Sequence, residues 1–119
     1  MKILCVFGKY NYGDPQRGCG TEYSAFIPAL KNLGHEVDLF DSWDRTRFAN
    51  FQELNQALLH KVEAWKPRVM LTVQTLYELW TETLQIIKNR GDVATVSWAT
   101  DDSWKYWEAS RFIGRAYHA

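Results

Sequence analysis

Two short stretches of the chain carry side chains whose types and spacing suit ligand chemistry. The first is Gly8-Lys9-Tyr10-Asn11-Tyr12-Gly13-Asp14-Pro15-Gln16-Arg17-Gly18-Cys19-Gly20, a long polar loop that opens onto Thr21 and Glu22. Gly18 and Gly20 allow close backbone approach. Free N–H groups at Thr21 to Tyr23 would carry the positive end of a helix dipole, which suits a phosphate, a carboxylate or a sugar hydroxyl. The same residues have plainer roles as well: glycines that only make a tight turn, and a Glu22 carboxylate that the first helical turn favours by itself. Gly18-Cys19-Gly20 lacks the third glycine of the dinucleotide fingerprint and the Lys-Ser/Thr ending of a P-loop. The second stretch, Ser97-Trp98-Ala99-Thr100-Asp101-Asp102-Ser103-Trp104, sets adjacent carboxylates between tryptophans. Asp101 and Asp102 can bind a metal, hold sugar hydroxyls, or supply a base where like charge pushes one pKa upward. Trp104, or Tyr10 from the first loop, can stack on a sugar face. The alternative is that one Asp caps a helix, the other is solvated, and the tryptophans belong to the core. No histidine falls near either stretch, so a His-based nucleophilic triad is not supported and no catalytic residue is assigned.

The elements that must position these residues follow from hydrophobic patterning. Four apolar runs, Lys2 to Phe7, Glu36 to Phe40, Arg68 to Val73 and Val93 to Trp98, alternate with segments of helical period. That alternation signals βαβ units and a parallel sheet, and consecutive apolar positions signal strands covered on both faces. Thr21 is read as the cap of a first helix along Tyr23, Phe26, Ile27, Leu30 and Leu33, with a kink expected at Pro28. Asn50 to Glu53 reads as a capping box for a second helix, whose buried stripe is Leu54, Leu58, Val62 and Trp65 and which ends before Pro67. Thr75 to Glu78 reads as a capping box for a third. Asp101-Asp102-Ser103 opens a fourth, along Trp104, Trp107, Phe112 and Ile113. The fold class expected is therefore α/β: a Rossmann-like three-layer α/β/α domain over residues 1–119, with a four-stranded or slightly larger parallel sheet. Such sheets bind ligands in the crevice beyond the carboxyl ends of their strands, and the loops after the first and fourth strands are the ones selected.

Composition narrows the function classes. The chain has 119 residues, of which 46% are hydrophobic, with 14 basic side chains against 14 acidic ones. A net charge of zero without a basic stripe argues against nucleic acid as a partner. The apolar opening Ile3 to Phe7 is far shorter than the about 20 residues of a membrane span, and no export signal follows it. Cys5 and Cys19 form neither a CxxC pair nor a zinc spacing, so reduced thiols, a cytoplasmic location and no bound metal are expected. The array ends where a doubly wound fold would normally add a strand, which reads as a cut through a larger protein.

The run Gly18-Cys19-Gly20-Thr21-Glu22, followed by Ile27-Pro28-Ala29-Leu30-Lys31-Asn32-Leu33-Gly34-His35-Glu36-Val37, resembles the opening of GT-B glycosyltransferases. Those enzymes read Gly-Gly-x-Glu, then a helix, then Leu-x-x-x-Gly-His-Glu-Val. Ser97 to Ile113, with Asp-Asp-Ser-Trp-Lys-Tyr leading into Ser-Arg-Phe, is similar to the CgeB-like spore-maturation members of that superfamily. The resemblance implies an N-terminal domain of a two-domain enzyme that holds the acceptor, a sugar or another small molecule. It implies no cofactor bound here, the nucleotide-sugar donor sitting on a C-terminal domain, and metal-independent transfer. Carried over, Gly18, Gly20, Thr21 and Glu22 would line the interdomain cleft, with Asp101, Asp102, Ser103 and Trp104 on its rim. Cys19 departs from the family's second glycine. An exposed patch left by the absent domain is expected to promote self-association. Two other readings stand beside this one: a stand-alone Rossmann-like ligand-binding module, and a flavodoxin-like FMN electron carrier, suggested by Gly20-Thr21-Glu22-Tyr23 and Asp102-Ser103-Trp104-Lys105-Tyr106. A phosphoacceptor receiver is disfavoured, because Gly8-Lys9-Tyr10 and Gln74-Thr75 stand where acids would be needed.

Overall fold

The apolar runs pair as the patterning requires. In the computed structural model, which describes residues 1–119, strands β1 (Lys2–Phe7), β2 (Glu36–Asp41), β3 (Val69–Thr72) and β4 (Ala94–Ser97) form one sheet. All of its pairings are parallel and its order is β2-β1-β3-β4. Side chains alternate between two buried layers. Leu4, Val6 and Met70 join the larger core, while Ile3, Cys5 and Phe7 join the smaller one. Helix α1 (Thr21–Asn32) covers the smaller side through Ile27, with Phe26 and Leu30 packed around it. Helices α2 (Phe51–Trp65) and α3 (Thr81–Asn89) cover the other side through Leu54, Leu58, Val62, Leu84 and Ile87. This is the three-layer α/β/α arrangement expected from sequence.

Local chemistry sets the helix ends. Gly20 rather than Thr21 is the cap residue of α1, and its carbonyl accepts from the Ser24 amide at 3.0 Å. The helix runs on through Pro28. The lost bond falls on the Ser24 carbonyl, and both residues are exposed, so water can replace the missing donor. At α2 the capping box forms: Asn50 Oδ1 accepts from the Glu53 amide at 2.9 Å, and Glu53 reaches back to the Ala49 amide at 3.0 Å.

Helix α3 begins five residues later than its sequence signal, capped at Trp80 instead of Thr75. Glu78 does reach back, accepting from the Thr75 amide at 2.7 Å and the Leu76 amide at 2.8 Å. The residues between form a loop, because Asn55 of α2 takes the bonds a helix would have used. Its Oδ1 accepts from the Trp80 amide at 2.9 Å, and its Nδ2 donates to the Glu78 carbonyl at 3.0 Å. A buried side chain that satisfies backbone groups in a loop conformation outweighs a local capping preference.

After β4 the chain makes a short helix α4 (Asp102–Lys105), a π-helical turn at Tyr106–Ser110, and α5 (Arg111–Ile113). Its buried stripe is Lys105, Ala109, Ile113, Ala116 and Tyr117. Of the periodic apolar residues singled out in the sequence only Ile113 is buried, while Trp104, Trp107 and Phe112 face outward. Trp104 precedes the π turn, Trp107 lies within it and Phe112 follows it. The last residues lie along the outer edge of β4, where the Ser97 amide donates to the Ala119 carbonyl at 2.7 Å. No helix is long and apolar enough to cross a membrane.

Asn55 is 2% exposed and holds the post-β3 loop against α2. Replacing it with Ala leaves buried backbone groups unpaired, so Asn55→Ala is expected to lower stability by about 2–3 kcal/mol in urea denaturation. A loss below about 0.5 kcal/mol would show that this tie does not hold the loop.

Candidate functional site

Strand order decides where a crevice opens. β1 has β2 on one side and β3 on the other, and the helices leaving β1 and β2 cover opposite faces of the sheet. The chain segments at the carboxyl ends of β1 and β3 therefore diverge. There the structure holds an open cleft of about 240 Å³. Phe7, Gly8, Tyr10, Asn11 and Tyr12 line it from the end of β1, and Val73 and Thr75 from the end of β3. Gly20, Thr21 and Glu22 bring the start of α1, Trp43 comes from the β2–α2 loop, and Thr100 and Asp101 from the loop after β4.

Of the residues named from sequence, Tyr10, Gly20, Thr21, Glu22 and Asp101 meet in this cleft. Gly18, Asp102, Ser103 and Trp104 do not line it. Trp104 is 58% exposed and points away from the core. The loop after β3 was passed over because the switch point falls between β1 and β3, not at β4, and strand order is not written in any one segment. Trp43 lies two residues past the end of β2, but a lone tryptophan after an edge strand carries no sequence signal for a site.

Trp43 shapes the floor. A Cβ at Gly8 would stand 3.2 Å from the Trp43 side chain, and one at Gly13 would stand 2.9 Å from the Trp43 carbonyl oxygen. Gly13 also has φ +72°, a conformation that disfavours L side chains. Asp41 receives the Trp43 amide at 3.0 Å, which turns the chain so that the indole reaches back over the end of β1. Next to it, the hydroxyl of Thr46 and the amides of Thr46 and Arg47 hold the Asp44 carboxyl below its ordinary range.

The loop from Gly8 to Gly20 is closed on itself. The Asn11 amide donates to the Gly18 carbonyl at 3.0 Å, the Gly20 amide to the Lys9 carbonyl at 2.9 Å, and the Gly18 amide to the Pro15 carbonyl at 3.2 Å. Asn11 Nδ2 adds bonds to the Arg17 and Cys19 carbonyls, both at 3.1 Å. The glycine amides that a phosphate cradle would need are thus already engaged, and the open donors are those of the first turn of α1.

The cleft is acidic and aromatic. Its lining includes Glu22 and Asp101, the rings of Phe7, Tyr10, Tyr12 and Trp43, and no Lys, Arg or His. Nearby cations sit on these rings without lining the cleft: Lys9 lies 5.2 Å from the Tyr10 ring centre, Arg17 5.2 Å from that of Tyr12, and Arg45 5.7 Å from that of Trp43. Tyr12 (φ 53°) and Asp101 (φ 59°) both hold left-handed backbone, and Lys66, at the end of α2, is the remaining non-glycine residue that does. Such strain gathers where surrounding structure dictates a side chain's position. No group of three or more potential metal-ligating side chains forms anywhere in the chain. Cys5 is buried, which pushes its thiol up to about 12, and Cys19 is an exposed free thiol.

Compared with protein-family models, curated proteins and solved structures, the chain matches none of them.

The glycines of the cleft loop are expected to rank by space and φ. Gly13→Ala meets both a clash and a positive φ, whereas Gly18→Ala has φ +76° but nothing within 4 Å. Gly20, at φ −65° with its nearest neighbour at 3.5 Å, takes a methyl group in ordinary contact. Thermal denaturation should give the largest loss at Gly13, about 1–2 kcal/mol at Gly18, and little at Gly20. A Gly20 variant as damaged as Gly13 would contradict this geometry.

Proposed function

We propose that this domain is the acceptor side of a glycosyltransferase, holding a hydroxyl-rich acceptor in the cleft between the ends of β1 and β3. A second domain facing the same edge supplies the nucleotide-sugar donor. The observation that carries the reading is the cleft lining. Flat aromatic rings offer surface to the C–H face of a sugar, while Glu22, Asp101, Asn11, Thr21, Thr75 and Thr100 offer hydrogen-bonding groups for its hydroxyls. Two carboxylates and no cation make a poor seat for a nucleotide diphosphate, which fits a donor held elsewhere. The similarity of Gly18 to Val37 and of Ser97 to Ile113 to the GT-B pattern points the same way.

A covering domain is also in keeping with the surface. Exposed Tyr12, Leu76, Tyr77, Trp80 and Trp98 lie in the loops that follow β1, β3 and β4, Tyr12 among them lining the cleft, and exposed Trp104 follows in α4. Apolar surface of this kind is usually buried against something, and in an isolated domain it favours self-association. The free thiols suit a reducing compartment, so the cytoplasm is the proposed location. In this account transfer needs no metal on this domain.

The strand order also fits a flavodoxin-like reading, because that order places FMN at the β1/β3 switch point. The engaged loop amides and the two carboxylates oppose a bound phosphate, so the acceptor reading is preferred.

Isothermal titration of the chain with neutral mono- to trisaccharides, FMN and a uridine-diphosphate sugar separates these readings. Saccharide binding is expected, with no heat from the other two. Tyr12→Asn keeps a residue that tolerates the left-handed backbone, and losing the ring should weaken saccharide binding about fivefold to tenfold. FMN binding with no response to saccharides would overturn the acceptor reading.

A further inference from the structure

The outer edge of β4 is closed by a side chain as well as by backbone. Thr95 is fully buried, and its amide donates to His118 Nδ1 at 3.0 Å. In return the His118 amide donates to the Thr95 carbonyl at 2.9 Å and to its hydroxyl oxygen at 3.1 Å. One residue earlier, Tyr117 is 3% exposed and its hydroxyl donates to Gln74 Oε1 at 2.8 Å. Gln74 Nε2 donates in turn to the Leu76 carbonyl at 2.7 Å and the Leu79 carbonyl at 2.9 Å. Both carbonyls belong to the loop after β3, whose Thr75 lines the cleft.

We propose that Tyr117–Ala119 is a pH-sensitive latch: neutral His118 holds it on β4, and the Tyr117–Gln74 bond passes its docking to the β3 wall of the cleft. It is independent of the acceptor reading, because no ligand takes part.

The chemistry lies in one atom. A backbone amide can only donate, so Nδ1 must offer Thr95 a lone pair, which assigns the ring proton to Nε2. A second proton would occupy that lone pair and set N–H against N–H at a buried residue, where an unpaired amide is costly. His118 is itself exposed, so protons reach the ring without any opening of the fold. Imidazoles ordinarily take up that proton near about pH 6.5. The latch is therefore fully formed above this range and is lost as the pH falls through it.

No ion pair rescues the protonated ring. β4 carries no charged side chain, and no carboxylate pairs with His118. Helix α3 brings Lys88, whose ammonium donates to the Tyr117 carbonyl at 2.6 Å. The turn Gly114–Ala116 carries the exposed Arg115, and in the 119-residue chain Ala119 adds a carboxylate. Arg90 and Asp92, ahead of β4, pair with each other. Tyr117 acts as a positioning residue: with both Gln74 Nε2 hydrogens on carbonyls, its hydroxyl is the donor that holds the Gln74 oxygen.

The test is an NMR titration of the 119-residue chain from about pH 8 to about pH 5, following the histidine rings and the backbone amides. The Thr95, Thr75, Leu76 and Leu79 amides are expected to shift with one midpoint, that of the His118 ring. His118→Asn keeps an acceptor oxygen but no titrating group, so these amides should stay fixed over the same range. Tyr117→Phe removes only the hydroxyl, so Thr95 should still follow His118 while Thr75, Leu76 and Leu79 should not. His35, His60 and Glu78 are the same in all three proteins, so differences among the three report the latch. A Thr95 amide that ignores the His118 titration would overturn the latch in the unaltered chain alone. Loop amides that move as much in His118→Asn would overturn it as well, and loop amides that still follow His118 in Tyr117→Phe would overturn the relay to the cleft.

Discussion

The site depends on the way two neighbours leave β1. Helix α1 carries the chain over one face of the sheet to β2, and α2 brings it back over the other face to β3 on the far side of β1. Right-handed crossovers leave no other way to place neighbours on both sides of β1. The loops at the strand ends must then part, and the gap they leave is the cleft. Trp43 sets its floor by resting against Gly8 and Gly13, while the closed Gly8–Gly20 loop sets one wall. Asn55 and Glu78 hold the post-β3 loop that sets another.

This architecture separates stability from recognition. The larger core layer, from Leu4 and Val6 to Ile87 and Val93, lies beneath helices and away from the cleft, while Phe7 and Val73 of the smaller layer form part of its lining. At the carboxyl edge the structure retains features that a purely structural loop would not need: left-handed backbone at Tyr12 and Asp101, a half-buried carboxylate without a partner, and aromatic rings open to solvent. Loops on a rigid scaffold are where such departures are tolerated and used.

Much of the scaffold was legible in the sequence because it depends on local patterning. The four strands and the first two helices lie where apolar runs and capping residues put them, within a residue or two. What failed to show was whatever required tertiary partners. Thr75 to Glu78 has the letters of a capping box, yet Asn55, distant in sequence, claims the backbone groups of that loop and delays the helix. The C-terminal aromatics follow a helical period, but the segment is broken by a π turn and Trp104, Trp107 and Phe112 face outward. The cleft was half legible. Glu22 and the Asp101–Asp102 pair stood out by residue type, with Glu22 and Asp102 the expected hydroxyl contacts, yet Asp101 and not Asp102 reaches the cleft; Trp43, Val73 and Thr75 join the site only through strand order, which hydrophobic periodicity does not encode.

The central claim is one of place: that ligands of this domain sit at the β1/β3 edge and not elsewhere. Amide chemical-shift mapping of the 119-residue chain with any saccharide it binds tests this most directly. The account predicts the largest shifts at Gly8 to Tyr12, Gly20 to Glu22, Trp43, Thr75 and Asp101. Shifts centred instead on the groove between α2 and α3, at Leu59, His60, Ile86 and Arg90, would contradict it.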